Sequence, residues 1–292
     1  MGGHATVMVI GDRDLADRAV EQIQRLEALW SRFVANSDTS RANRRAGIPT
    51  KVSPDTITLC SRARRAWQMT GGRYDPLLGV PLSELGYDRS FDTITRVQSA
   101  VEITPVPQPG SAELEIDIDA GLVTVPAGRA FDPGGIGKGL AGDLVVEQVL
   151  RAGGRGVLVD LGGDIRVGGE GPDSRGWPVG IDDPRTGTDV LFHVLLTDGA
   201  VASSSRRRRS WTAGGRSRHH LIDPSDGHPL DNGVLGVTVL AANGWEAEAL
   251  TKAAFVAGAA AVDFLEDQRV DGIVVLDDGT CCWTSGLEAS HR

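Results

Sequence analysis

The chain has 292 residues, a net charge of −9 and a pI near 5.2, with 40% hydrophobic and 24% charged residues. That length supports a sizeable core without disulfide staples, and the composition excludes collagen, coiled coil and disorder as the main character. The acidic balance argues against nucleic acid as a partner, and no apolar run reaches the roughly 18 residues of a membrane helix. Only three of the 30 basic residues are lysines: Lys51, Lys138 and Lys252. The three cysteines, Cys60, Cys281 and Cys282, form no metal motif and no disulfide framework, which points to a reducing compartment.

In chain order, Ala5–Ile10 predicts a β-branched strand, with no signal-peptide pattern before it. Apolar residues from Leu15 to Phe33 recur at helical spacing. Asn36–Ile48 has loop character, and Ser53–Met69 predicts a helix ended by Gly71–Gly72. Arg73–Asp92 is irregular, and Ser99–Pro126 reads as short strands. A glycine-rich turn, Pro133–Gly139, opens a helix to about Arg151, and Val157–Val167 is a strand interrupted at Gly162–Gly163. Strands follow at Trp177–Ile181, Val190–Leu196, Ala200–Ser204 and Leu235–Ala241, then helices at Glu246–Ala257 and Ala260–Asp267, then strands at Gly272–Leu276 and Cys281–Trp283. Strands outnumber helices and hairpins are as frequent as crossovers, so the fold class expected is α+β, with mixed and antiparallel sheets in one unit over residues 1–292.

Four segments carry chemistry. Phe131–Asp143 joins a strand, a glycine turn, Lys138 and a helix start, which makes either an anion cradle or an ordinary glycine-stopped turn; it is not a Walker A loop. Val159–Ile165 contains Gly162 and Gly163, read as a bulge or a ligand approach. Ser203-Ser204-Ser205 precedes four arginines, which suit an anion or a solvated face, and His219-His220 lies upstream of a Pro224–Gly227 turn. Adjacent strand residues point to opposite faces, so only one of these histidines is expected to act. Glu248 and Lys252 share a helix face at i,i+4 spacing.

Taken in order, these segments resemble the ApbE family of flavin transferases over nearly the whole chain. Met1-Gly2-Gly3 is similar to that family's opening. Ser37–Asn43, Gly71–Pro76, Gly134–Asp143, Leu161–Ile165 and His220–Gly227 are similar to five further motifs. The resemblance implies binding of FAD as substrate with Mg²⁺, transfer of FMN to a Thr or Ser hydroxyl of an acceptor protein, and release of AMP. It implies His220 and Lys138 as catalytic residues. It implies Asn43, Tyr74, Asp75, Gly135, Lys138, Asp143, Gly162, Gly163, Ser203 and Ser204 as flavin-binding, and Gly137, Glu248 and Thr251 as metal ligands. A FAD pyrophosphatase or a non-catalytic flavin-binding relative are the alternatives. The family-like opening at position 1 leaves no export signal ahead of it, so either a cytoplasmic location or a sequence given without its leader is expected. One departure stands out: Lys252 occupies the place of a metal-ligating Thr. At ~4 Å and an effective dielectric of ~20, an ammonium and a divalent ion repel by about 8 kcal/mol. Two outcomes follow: Lys252 turns outward and Glu248 with the Gly137 carbonyl still holds a metal, or, the outcome favoured, the ammonium takes the metal's place beside Glu248.

Overall fold

The computed structural model describes residues 3–94, 97–98, 113–173, 175–213 and 215–291. In chain order the elements are β1 (Ala5–Ile10), α1 (Asp14–Trp30), α2 (Asp38–Arg44), β2 (Thr50–Lys51), α3 (Pro54–Met69), α4 (Gly79–Glu84), β3 (Val97–Gln98), β4 (Glu115–Asp117), β5 (Leu122–Thr124), α5 (Gly137–Arg151), β6 (Gly156–Leu161) and β7 (Asp164–Gly169). The remainder are β8 (Trp177–Asp182), β9 (Val190–Leu196), β10 (Gly199–Ser205), β11 (Ser210–Ala213), β12 (Arg216–His219), β13 (Val234–Ala241), α6 (Gly244–Ala257), α7 (Ala261–Asp267), β14 (Asp271–Leu276), β15 (Cys281–Trp283) and α8 (Ser285–His291). This is the α+β architecture expected.

The described residues divide into two compact units. One holds residues 26–137 and 208–231. It carries two three-stranded sheets, β12-β11-β3 and β2-β5-β4, with α2, α3 and α4. Its apolar cluster includes Leu82, Leu85, Tyr87, Ile94, Trp211 and Ile222. The Arg32 guanidinium lies 4.4 Å from the Phe33 ring centroid and 4.8 Å from that of Tyr87, and it pairs with Asp132 at 3.1 Å.

The other unit holds residues 3–25, 138–207 and 232–292. Its seven-stranded sheet runs β1-β6-β7-β10-β13-β14-β15, antiparallel at every pairing, beside the two-stranded β8-β9. Helix α6 packs on β10 and β13. Because Ala247, Ala249, Leu250, Ala253, Ala254 and Phe255 surround it, α6 is apolar on nearly every side and is buried accordingly. That burial carries Glu248 and Thr251 into the interior at 0% exposure.

Several expectations are corrected. Asn36–Ile48 is not a loop: it contains α2, because Ser37 caps its start by accepting the Ser40 N–H at 3.0 Å. The first helix stops at Trp30 rather than Phe33, and the irregular Arg73–Asp92 stretch contains α4. The interruption at Gly162–Gly163 is not a bulge but a two-residue hairpin turn between β6 and β7, with φ of +66° and +90°. Met1–Gly2 and residues 99–112 lie outside the described residues.

Candidate functional site

Lys138 is the second residue of α5, directly after the glycine turn. Its ammonium donates to Asp164 Oδ2 and stands 3.7 Å from Glu248 Oε1. Asp164 is the first residue of β7, aimed inward by the tight hairpin. Lys252, one turn beyond Glu248 on α6, places its ammonium 3.6 Å from the same Oε1. Four charged side chains thus meet, two carboxylates and two ammoniums, with net formal charge zero. Burial works against the ionised form of Asp164, but the Lys138 and Lys252 ammoniums, the Lys138 hydrogen bond and the Ser203 N–H outweigh it and hold the carboxyl below its ordinary value. Glu248 Oε2 accepts the Gly139 N–H at 2.8 Å, whereas Oε1, fully buried, receives no hydrogen bond.

Gly139 of the turn has a packing role. A Cβ on Gly139 would lie 2.1 Å from the Gly244 carbonyl oxygen, so the starts of α5 and α6 meet backbone to backbone. Asp143, expected at the flavin, is committed to that same junction. It accepts from Gly244 N–H (2.8 Å), Trp245 N–H (3.0 Å) and Arg166 Nε (2.9 Å). Burial nonetheless raises its carboxyl above the ordinary value.

Ser203 and Ser204 are adjacent on β10 and point to opposite faces. Ser203 Oγ lies 2.8 Å from Thr238 Oγ1 on β13, while its N–H donates to Asp164. Ser204 Oγ lies 2.8 Å from Thr251 Oγ1 on the α6 side. Their two hydroxyls therefore do not form one cradle. Gly162 faces open space, and the Gly163 N–H donates to Asp160.

Asn43, Tyr74, Asp75, Gly135 and His220 belong to the first unit. Both ends of the Asn43 amide are held by the Phe131 backbone, at 2.9 and 2.7 Å, so this residue ties α2 to the strand-like segment before the glycine turn. Asp75 accepts the Leu77 N–H at 2.8 Å and Tyr74 is buried. Gly135 ends a short 3₁₀ turn capped by Asp132, whose Oδ1 accepts the Gly134 N–H. His219 is buried with Nε2 3.0 Å from the Leu230 carbonyl. His220 is only half-buried, with Nδ1 3.4 Å from the Arg209 carbonyl. Of the two histidines, His220 retains the more accessible ring.

A divalent ion does not fit the residues expected to hold one. Among the described residues no group of three or more His, Cys, Asp or Glu side chains is placed to hold a metal. Magnesium takes near-octahedral oxygen ligands at about 2.0–2.1 Å. Gly137 opens α5, and the Thr251 hydroxyl donates to the Glu248 carbonyl while meeting Ser204. Glu248 Oε1, buried and without a hydrogen bond, already faces two ammoniums. An ion at ~4 Å from either would be repelled by about 8 kcal/mol at an effective dielectric of ~20. The expected Lys252–Glu248 pairing is what the structure contains.

An antiparallel sheet backed by a buried helix, with paired ammoniums at a glycine turn, defines an α+β protein. The ApbE family model matches residues 1–274, and the chain belongs to the ApbE family. A FAD:protein FMN transferase of Treponema pallidum is 30% identical over 252 residues, covering 81% of this chain and 69% of the relative. One from Klebsiella pneumoniae is 27% identical, covering 85% and 77%. The ApbE protein of Thermotoga maritima aligns with a TM-score of 0.84 at 26% identity, over 99% of this chain and 94% of that one. Flavin transferase ApbE from Vibrio cholerae, at 24% identity, shares the fold with a TM-score of 0.80 over 99% and 96%.

Proposed function

We propose that this chain is a FAD:protein FMN transferase, with residues 1–292 acting as one ApbE-like domain. The observation that carries this reading is Lys138: an ammonium at a glycine turn and helix start, held in place by the buried Asp164 carboxylate. A helix N-terminus with its N–H groups and a fixed ammonium suits a diphosphate. In the reaction, the acceptor Thr or Ser oxygen forms a bond to the phosphorus of the FMN half. The bond from that phosphorus to the bridging oxygen breaks, and AMP leaves with the bridging oxygen. The acceptor proton goes to His220, whose imidazole nitrogen can accept it. Asp164 and Glu248 keep Lys138 oriented. No step is assigned to a divalent metal. A reducing, cytoplasmic setting belongs to the same proposal, supported by the free thiols of Cys60, Cys281 and Cys282.

The test is a titration of the purified protein with FAD, followed by flavin fluorescence. Saturable binding is expected at micromolar FAD, weakened by Lys138→Ala. No binding by the unmutated protein would remove the reading.

A further inference from the structure

We infer that Lys252 is a diphosphate-binding residue, a built-in cation that this chain uses in place of a divalent metal. The inference rests on the flavin transferase reading above. Three observations carry it. Glu248 is fully buried, and its Oε1 accepts no hydrogen bond, so the oxygen is directed into the site rather than satisfied within the helix. Lys138 and Lys252 reach that oxygen from different helices, α5 and α6, at 3.7 and 3.6 Å. Both lysine side chains keep some exposure, 16% and 17%, so the cationic face of the cluster meets solvent while its carboxylates do not.

That arrangement is polarised. The acids lie underneath and the ammoniums outside, which is the order needed to receive an anion. A carboxylate cluster built for Mg²⁺ would instead present oxygens to the ion. Buried charges persist when paired, and each ammonium balances one acid, which leaves no net negative charge to attract a divalent ion. A bound diphosphate would then accept hydrogen bonds from two fixed ammoniums whose position is set by Glu248 and Asp164. It would not need a dissociable ion.

Two readouts test this. FAD affinity is measured by flavin fluorescence in EDTA and in millimolar Mg²⁺. Mn²⁺ binding to the flavin-free protein is measured by electron paramagnetic resonance. Wild type, Lys252→Thr, Lys252→Met and Lys252→Arg are compared. For wild type we expect equal FAD affinity in both buffers, within about twofold, and no Mn²⁺ binding tighter than millimolar. Lys252→Met is expected to lose about tenfold in FAD affinity, recovered by Lys252→Arg. Lys252→Thr is expected to bind Mn²⁺ at least about tenfold more tightly than wild type and to become Mg²⁺-dependent for FAD. The inference is overturned by a loss of about tenfold or more in wild-type FAD affinity in EDTA, or by wild-type Mn²⁺ binding as tight as that of Lys252→Thr. Absence of FAD binding in both buffers overturns the flavin reading instead. The Mn²⁺ titration needs no flavin and still decides whether Lys252 excludes the metal.

Discussion

Asp38 shows how a motif residue can serve the fold rather than the ligand. Its carboxylate accepts from Ser53 N–H and Thr56 Oγ1, both at 2.8 Å, and from Arg41. Burial opposes its charge, but these hydrogen bonds prevail and hold the carboxyl below its ordinary value. A carboxyl depressed in the folded state contributes stability that is fully present above about pH 5 and is lost as the pH falls through the folded value. Asp38→Asn should therefore cost about 1–3 kcal/mol at pH 7, with the gap to wild type narrowing as the pH falls through the carboxyl's lowered value, as measured by urea unfolding at neutral and successively more acidic pH. A gap independent of pH would contradict the charge-based account. At His220, replacement by Ala should lower FMN transfer by about 10²–10⁴ while FAD affinity stays within about twofold. If His219→Ala loses transfer and His220→Ala keeps it, the base is misassigned. The residue types of the site were legible in the sequence, but not all of their partners. Asn43 and Asp143 lie 88 and 101 positions from the backbone groups they bind, and no local spacing reveals a contact of that range.

At the scale of elements, the α5–α6 junction explains a glycine that reads in sequence as part of either an anion cradle or an ordinary turn. Gly139 leaves room for the Gly244 carbonyl, and any side chain there collides with backbone rather than with a movable side chain. Gly139→Ala should destabilise the protein by about 3 kcal/mol in chemical denaturation, whereas Gly153→Ala meets no atom within 4 Å and tests only the cost of a left-handed backbone. Equal stabilities for the two variants would show that the junction can relax. Elements with a clear apolar pattern were legible: β1, β9 and α3 fall within a residue of their expected bounds, as does the short β15. Helix α2 was not, because seven mostly polar residues carry no apolar period and its helicity rests on the Ser37 cap. The arginine run hid β11 and β12, since Trp211, on β11, buries into the Leu82–Tyr87 cluster with its indole N–H on the Leu85 carbonyl, 126 positions away.

For the whole molecule, the proposed chemistry rests on fixed cations rather than on overall charge, which at −9 would repel an anionic dinucleotide. No described helix is long and apolar enough to cross a membrane. Covalent transfer is read from the intact mass of an acceptor. The protein is incubated with FAD and a peptide bearing an Asp-X-X-Thr-Gly-Ala-Thr-like segment. The peptide should gain one FMN phosphoryl unit on a hydroxyl, with one AMP released per peptide modified. Release of AMP together with free FMN, and a peptide of unchanged mass, would contradict the account and make the chain a FAD pyrophosphatase.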